Sequence, residues 1–197
     1  MSQTDDQLIT QAQAGDREAF HRLVDIYAPR LYQLAAIMTG NFNDAQDLVQ
    51  ETLLAAYVAL PGFERRAAVK TWLTGIMMRQ ASLARRKKAR HKMISLDNQT
   101  DAQDPVDRSA SVARNTQQSD ARIDLMTLMQ VLTVEHREVL TLREIQGLSY
   151  DEIAEMIGQP RGTVESRLFR ARQALKQLAQ QSASRTTVGR PDLGGDA

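Results

Sequence analysis

Residues Gly147–Arg172 read GLSYDEIAEMIGQPRGTVESRLFRAR, and this stretch decides the fold. Ser149 and Glu152 stand three apart, the spacing of a capping box, in which each side chain satisfies a free amide of the other residue. Ile153, Ala154 and Ile157 follow at helical spacing and form a face to bury. Gly158 supplies the left-handed residue that ends a helix, and Pro160 stands where a new one begins. The pattern predicts two helices, at Ser149–Ile157 and about Pro160–Gln180, joined by a short turn as in a helix-turn-helix. The second has an apolar side, Val164, Leu168, Ala171 and Leu175. It also carries Arg161, Thr163, Glu165, Ser166, Arg167, Arg170 and Arg172. Arginine suits a helix that reads a DNA groove, because its planar fork binds guanine or phosphate through two hydrogen bonds. An amphipathic hairpin with a solvated arginine face has the same pattern, so the motif alone leaves both readings open.

Working outward, Ile123, Met126, Met129 and Val131 begin a helical pattern that continues through Val139, Leu142 and Ile145 to Gly147. In the N-terminal half, Phe20, Leu23, Val24, Tyr27, Leu31 and Leu34 follow helical spacing, punctuated by Pro29 and by Gly40-Asn41. A second helix is predicted from near Asp44, with Ala45, Leu48, Val49, Thr52 and Ala56 as its buried face and Pro61-Gly62 as its stop. A third spans about Ala67 to Lys92, with Val69, Trp72, Leu73, Ile76 and Met77 on its apolar side. Residues 93–120 are rich in Asp, Ser, Gln and Asn, hold Pro105, and read as a linker. Residues 181–197 are polar, contain Gly and Pro, and read as a disordered tail. No strand pattern and no internal repeat are seen. The expected fold is all-α: two small helical domains, 1–92 and 121–180, joined by a flexible acidic linker at 93–120, with the helix-turn-helix in the second.

Composition narrows the function classes. Apolar residues make up 42% of 197, enough for a packed core, while aromatics at 5% and only ten glycines argue against a sandwich or barrel. The chain has no cysteine, and its three histidines, His21, His91 and His136, lie far apart, so no metal site and no cofactor are expected. The longest apolar run, Leu53–Leu60, is far short of a membrane span, and the polar N-terminus does not resemble a signal peptide, so a cytoplasmic address is expected. The formal charge of +1 hides an uneven distribution. Residues 1–60 carry a net −5, 61–95 a net +9, 96–120 a net −3, and 121–180 balance. A dense basic block between acidic segments is an electrostatic footprint for a polyanion.

The stretch from Leu132 to Leu175 resembles region four of the extracytoplasmic-function (ECF) sigma factors of bacterial RNA polymerase. The residues that carry the likeness are Arg137-Glu138-Val139, Leu142-Arg143, Gly147–Tyr150, Glu152-Ile153-Ala154, and the GTV and SRL-RAR frame of Gly162–Arg172. The N-terminal half resembles region two, in Asp44-Ala45-Gln46-Asp47-Leu48-Val49-Gln50-Glu51-Thr52 and Lys70-Thr71-Trp72-Leu73. Together the two regions cover most of residues 10–180, in the family's order.

The resemblance implies a promoter-recognition initiation factor rather than an enzyme. Its implied partners are core RNA polymerase, promoter DNA and an anti-sigma factor. It would act as a single copy, in the cytoplasm at the nucleoid, with no membrane insertion. Core polymerase would be bound through Asp44, Asp47, Gln50 and Glu51, with Gln46 beside them. The −10 element would be met by Trp72 and the basic residues Arg79, Arg85, Arg86, Lys87 and Lys88, together with the loop Leu60–Ala68. There Phe63 is either a wall for an unpaired base or a plain anchor. The −35 element would be read by Arg161, Thr163, Glu165, Ser166, Arg167 and Arg170. Two residues depart from the family pattern: Leu83 stands where an Asp is usual, and Glu165 where a basic residue is frequent. Glu165 would either accept a hydrogen bond from cytosine or restrain Arg161 four residues earlier. As a free coil the linker would span about 30 Å, and fully extended at most ~90 Å, so two promoter elements are bridged only when polymerase holds it extended. The alternative is a stand-alone helix-turn-helix regulator.

Overall fold

Asp16 opens the central helix of the N-terminal half. Its carboxylate accepts from the amides of Glu18 (2.9 Å) and Ala19 (3.3 Å), two donors that the first turn leaves without partners. The computed structural model describes residues 3–96 and 127–188, which fall into two helical units divided after Met126. The first unit contains α1 (Gln3–Gln13), α2 (Arg17–Thr39), α3 (Phe42–Ala59), a 3-10 turn (Leu60–Gly62) and α4 (Val69–Leu96). Helix α2 packs against α1, α3 and α4, and five successive residues, Leu34–Met38, are buried. Gly40, at φ 79°, stops α2 by donating to Ala36 O. Asn41 then caps α3 by accepting from the Asp44 amide at 2.7 Å. The predicted α3 face is buried in full, and Thr52 sits there without penalty because its hydroxyl donates to Leu48 O.

Pro29 does not interrupt α2, contrary to the expectation that it punctuates the pattern. It lies on the exposed side, so the helical bond its missing amide forgoes is lost at the solvent face. Buried Tyr27 and Leu31 on either side keep the helix packed. Tyr27 also donates its hydroxyl to Asp5 of α1 (2.9 Å). Burial and this carboxylate push the phenol up to about 12. Helix α4 runs to Leu96, past the expected boundary at Lys92. The remainder of the expected linker, 97–120, lies outside the described residues.

The second unit begins with a helical turn at 127–130 and continues with α5 (Val134–Leu140), a π-helical turn (Thr141–Ile145), α6 (Tyr150–Ile157) and α7 (Arg161–Val188). The pattern read as running unbroken to Gly147 in fact widens at Thr141, where Gln146 donates back five residues. That extra residue rotates Ile145 off the packed side and leaves it exposed. Helix α7 extends eight residues past the expected end at Gln180, because no glycine or proline occurs before Gly189. The predicted disordered tail thus includes a helical segment, and 189–197 lie outside the described residues.

Arg137 is the unexpected member of this core. It is buried, and its guanidinium donates to Met129 O (2.9 Å) and Leu132 O (3.1 Å), closing the carbonyl end of the 127–130 turn. Burial pulls its pKa down from the ordinary arginine value. Arg137→Ala should destabilise this unit by about 3 kcal/mol, since charged hydrogen bonds to buried carbonyls are lost together. Amide exchange measured by mass spectrometry should accelerate in peptides from 127–178 and stay unchanged in those from 3–90.

Candidate protein and nucleic-acid interfaces

Helix α3 turns Asp44, Asp47, Gln50 and Glu51 to solvent, opposite its buried face. Asp44 is partly engaged, because its carboxylate accepts from the Asn41 amide nitrogen at 2.7 Å. The same line continues with Leu54 (65% exposed) and Val58 (74%), seven and eleven residues after Asp47. Sequence reading missed both. They sit in an apolar run, and only the angular position, opposite Ala45 and Ala56, separates them from the core. The face is therefore acidic at its N-terminal end and apolar at its C-terminal end.

The loop after α3 is held at its start by Phe63. Phe63 is 7% exposed, with its ring stacked on Trp72 at 4.5 Å and 29°. This packing is the arrangement that an anchor for the loop requires. Trp72 is half-buried, and residues 64–68 remain exposed, with Arg66 paired to Glu64 at 2.6 Å. Arg79 is exposed on α4, and from Leu83 to Arg90 every side chain is exposed. Arg85, Arg86, Lys87 and Lys88 step around this segment at about 100° each, so the basic charge surrounds the helix rather than lining one side.

In the second unit the predicted motif forms as read. Ser149 accepts from the Glu152 amide (3.2 Å), and Glu152 accepts from the Ser149 amide (2.7 Å). The Ser149 amide and hydroxyl, both donating to the Glu152 carboxylate, hold that carboxyl below its usual value. Gly158, at φ 63°, closes α6. Val164, Leu168 and Ala171 are buried, while Leu175 is half-buried.

The arginines of α7 divide into two groups. Arg161 donates from Nε to Glu165 (2.9 Å) and from Nη1 to Asp151 (3.1 and 2.9 Å). The Glu165 hydrogen bond and the Asp151 carboxylate raise its pKa further. Arg172 is tied to Glu144 (2.6 Å). Arg167, half-buried, and Arg170, exposed, make no ion pair among the described residues. Ser166 is exposed and donates to Thr163 O (3.0 Å), with Thr163 itself half-buried. Phe169, 64% exposed, lies outside the apolar stripe, four residues after Glu165. The helical wheel could have found it, since it falls off the Val164–Leu168–Ala171 line.

Two family models match these parts of the chain: "Sigma-70 region 2" over residues 23–91 and "Sigma-70, region 4" over residues 122–175. The RNA polymerase sigma-H factor of Pseudomonas aeruginosa is 32% identical over 181 residues, covering 89% of this chain and 94% of that protein. The chain belongs to the ECF sigma factors of RNA polymerase. The ECF sigma factor SigW of Bacillus subtilis is 34% identical, covering 85% of this chain and 92% of its own length. Among solved structures, CnrH in complex with the cytosolic domain of CnrY matches with a TM-score of 0.63 at 25% identity, covering 91% of this chain and 99% of that one. RpoE of Bartonella quintana, in complex with the anti-sigma factor NepR, matches with a TM-score of 0.62 at 27% identity, covering 82% and 96%. This sigma factor is a promoter-recognition factor in transcription initiation.

The Arg161–Glu165 pair has a measurable consequence. Glu165→Lys removes one of the two carboxylates holding Arg161 and adds a cation beside it. The slope of log affinity against log salt for duplex DNA should steepen by about one unit. A salt titration of DNA binding by wild type and variant checks this.

Proposed function

We propose that this sigma factor binds core RNA polymerase through the outward face of α3. The observation that carries this reading is the single line of Asp47, Gln50, Glu51, Leu54 and Val58, charged at one end and apolar at the other. Such a face fits a basic helical surface with an apolar ridge. Solvation alone does not favour two large apolar side chains exposed in register with the acids.

The exposed loop 64–68, Trp72 and the basic end of α4, including Arg79, Arg85, Arg86, Lys87 and Lys88, meet the −10 element. The phosphate backbone supplies most of the affinity there. Helix α7 reads the −35 element through Ser166, Arg167 and Arg170, the two arginines being those that internal ion pairs leave available. Arg161, Thr163 and Glu165 shape the entry to that helix. Phosphodiester chemistry belongs to the polymerase, and the chain itself catalyses nothing. Among the described residues no helix is long and apolar enough to cross a membrane. The protein works in the cytoplasm at the nucleoid, as a single copy. Two of its structural neighbours are complexes, one with the anti-sigma factor NepR. An anti-sigma factor that covers these same faces would hold this protein inactive.

Charge reversal tests the α3 face. Asp47→Arg with Glu51→Arg should weaken core binding by about 2 kcal/mol or more, roughly thirtyfold, with helicity unchanged. Leu54→Ala with Val58→Ala should weaken it independently of salt. Fluorescence titration of labelled protein with core polymerase measures both, and unaltered affinity in both variants would overturn the assignment.

A further inference from the structure

We propose that Gln13, at the end of α1, and Arg65 are positioning residues that hold the −10 loop in its reading conformation. This inference rests on the assignment of that loop to the −10 element. Gln13 lies almost fifty residues from the loop in sequence, yet its side-chain nitrogen donates to both Leu60 O (3.0 Å) and Phe63 O (2.9 Å). These carbonyls bracket the 3-10 turn, and Leu60 O also accepts the turn's own bond from the Phe63 amide (3.0 Å), so Gln13 adds a second donor there. One amide group therefore fixes both ends of the bend. Its oxygen in turn accepts from Arg65 Nη2 (3.3 Å), and the same nitrogen donates to Thr10 Oγ1 (2.7 Å).

The loop's backbone makes the return possible. Arg65 has φ 60°, the only positive value outside glycine among the described residues. That conformation is unfavourable for an arginine, and here the side chain reaches back to α1. The Gln13 clamp and the Trp72 stack both hold Phe63, one by its carbonyl and the other by its ring, and residues 64–68 stay exposed after it. Helix α1 is itself fixed, through buried Leu8 and Ile9 and through the Tyr27–Asp5 hydrogen bond. The loop thus takes its shape from α1, an element outside the residues matched by either family model. A loop held in one shape can discriminate between bases, whereas a loose loop binds several alike.

The test uses holoenzyme assembled from the full chain and core polymerase, on promoters that carry each base at each −10 position. In Gln13→Ala, runoff from the best promoter should fall about tenfold, the loss expected from two hydrogen bonds. The ratio between best and worst −10 base should collapse toward one, while −35 preference and core affinity stay at wild-type values. Thr10→Val removes the acceptor on α1 that holds Arg65 and leaves the loop residues untouched, so it should act in the same direction, about threefold. It carries the test by itself if Gln13→Ala loses its helical circular dichroism signal. Equal reduction on all promoters with the −10 ratio preserved, or no change in either variant, overturns the clamp alone. A wild-type holoenzyme without any −10 base preference overturns the loop reading and the clamp with it.

Discussion

The second half of α2 is surrounded. Leu34–Met38 are all buried, and a helix buried on every side can be satisfied only by neighbours on every side. Three other helices of the first unit pack on α2, and their outward faces follow from that arrangement. Helix α3 must present Ala45 and Ala56 inward, where they are fully buried and permit close approach. Asp47, Gln50 and Glu51 are then directed to solvent by the 3.6-residue period alone. Helix α1 is brought to the loop after α3 by the same packing. The surfaces of the first unit proposed to act in function are therefore consequences of how one helix is buried.

In the second unit the organising theme is which cation is spoken for. Arg137 is spent inside the core on two carbonyls. Arg143 donates to Leu148 O at 2.8 Å and lies 5.0 Å from the Tyr150 ring centre, bracing the entrance to α6. Arg161 and Arg172 are paired with carboxylates from outside their own turn, which fastens α7 to the elements before it. Arg167 and Arg170, the two arginines proposed to read the −35 element, make no such pair among the described residues. A chain with near-zero net charge can still present a selective cationic site once its internal pairs are subtracted.

Much of this was legible in the sequence because it is local. The Ser149–Glu152 box, the Gly158 stop and the five buried positions of α3 depend on residues within one or two turns of each other, and periodicity reports such relations directly. The features that escaped depend on contacts far along the chain or on a single inserted residue. Pro29 looks like a breaker until its exposed side is known. Thr141 begins a wider turn that no composition announces. Phe63 reads equally as wall or anchor until Trp72 is found stacked on it. Arg161 gives no sign in the sequence of its pairing with Asp151, ten residues earlier. Gln13 carries no signal at all, because a polar residue at a helix end is commonplace and its acceptors lie on another element.

The basic end of α4 carries an internal tension. Arg85 and Lys88, Lys87 and Arg90, and Arg86 and Arg90 stand three or four residues apart, so each pair brings like charges onto neighbouring positions of an exposed helix. Each such pair opposes the helix by a few tenths of a kcal/mol, about 0.2–0.5. No buried side chain in this segment offsets that strain. Added salt, which weakens attraction to a polyanion, relaxes this repulsion at the same time. The helicity of the segment should therefore rise with salt, and the phosphate backbone proposed to lie along it would relieve the same repulsion as it binds.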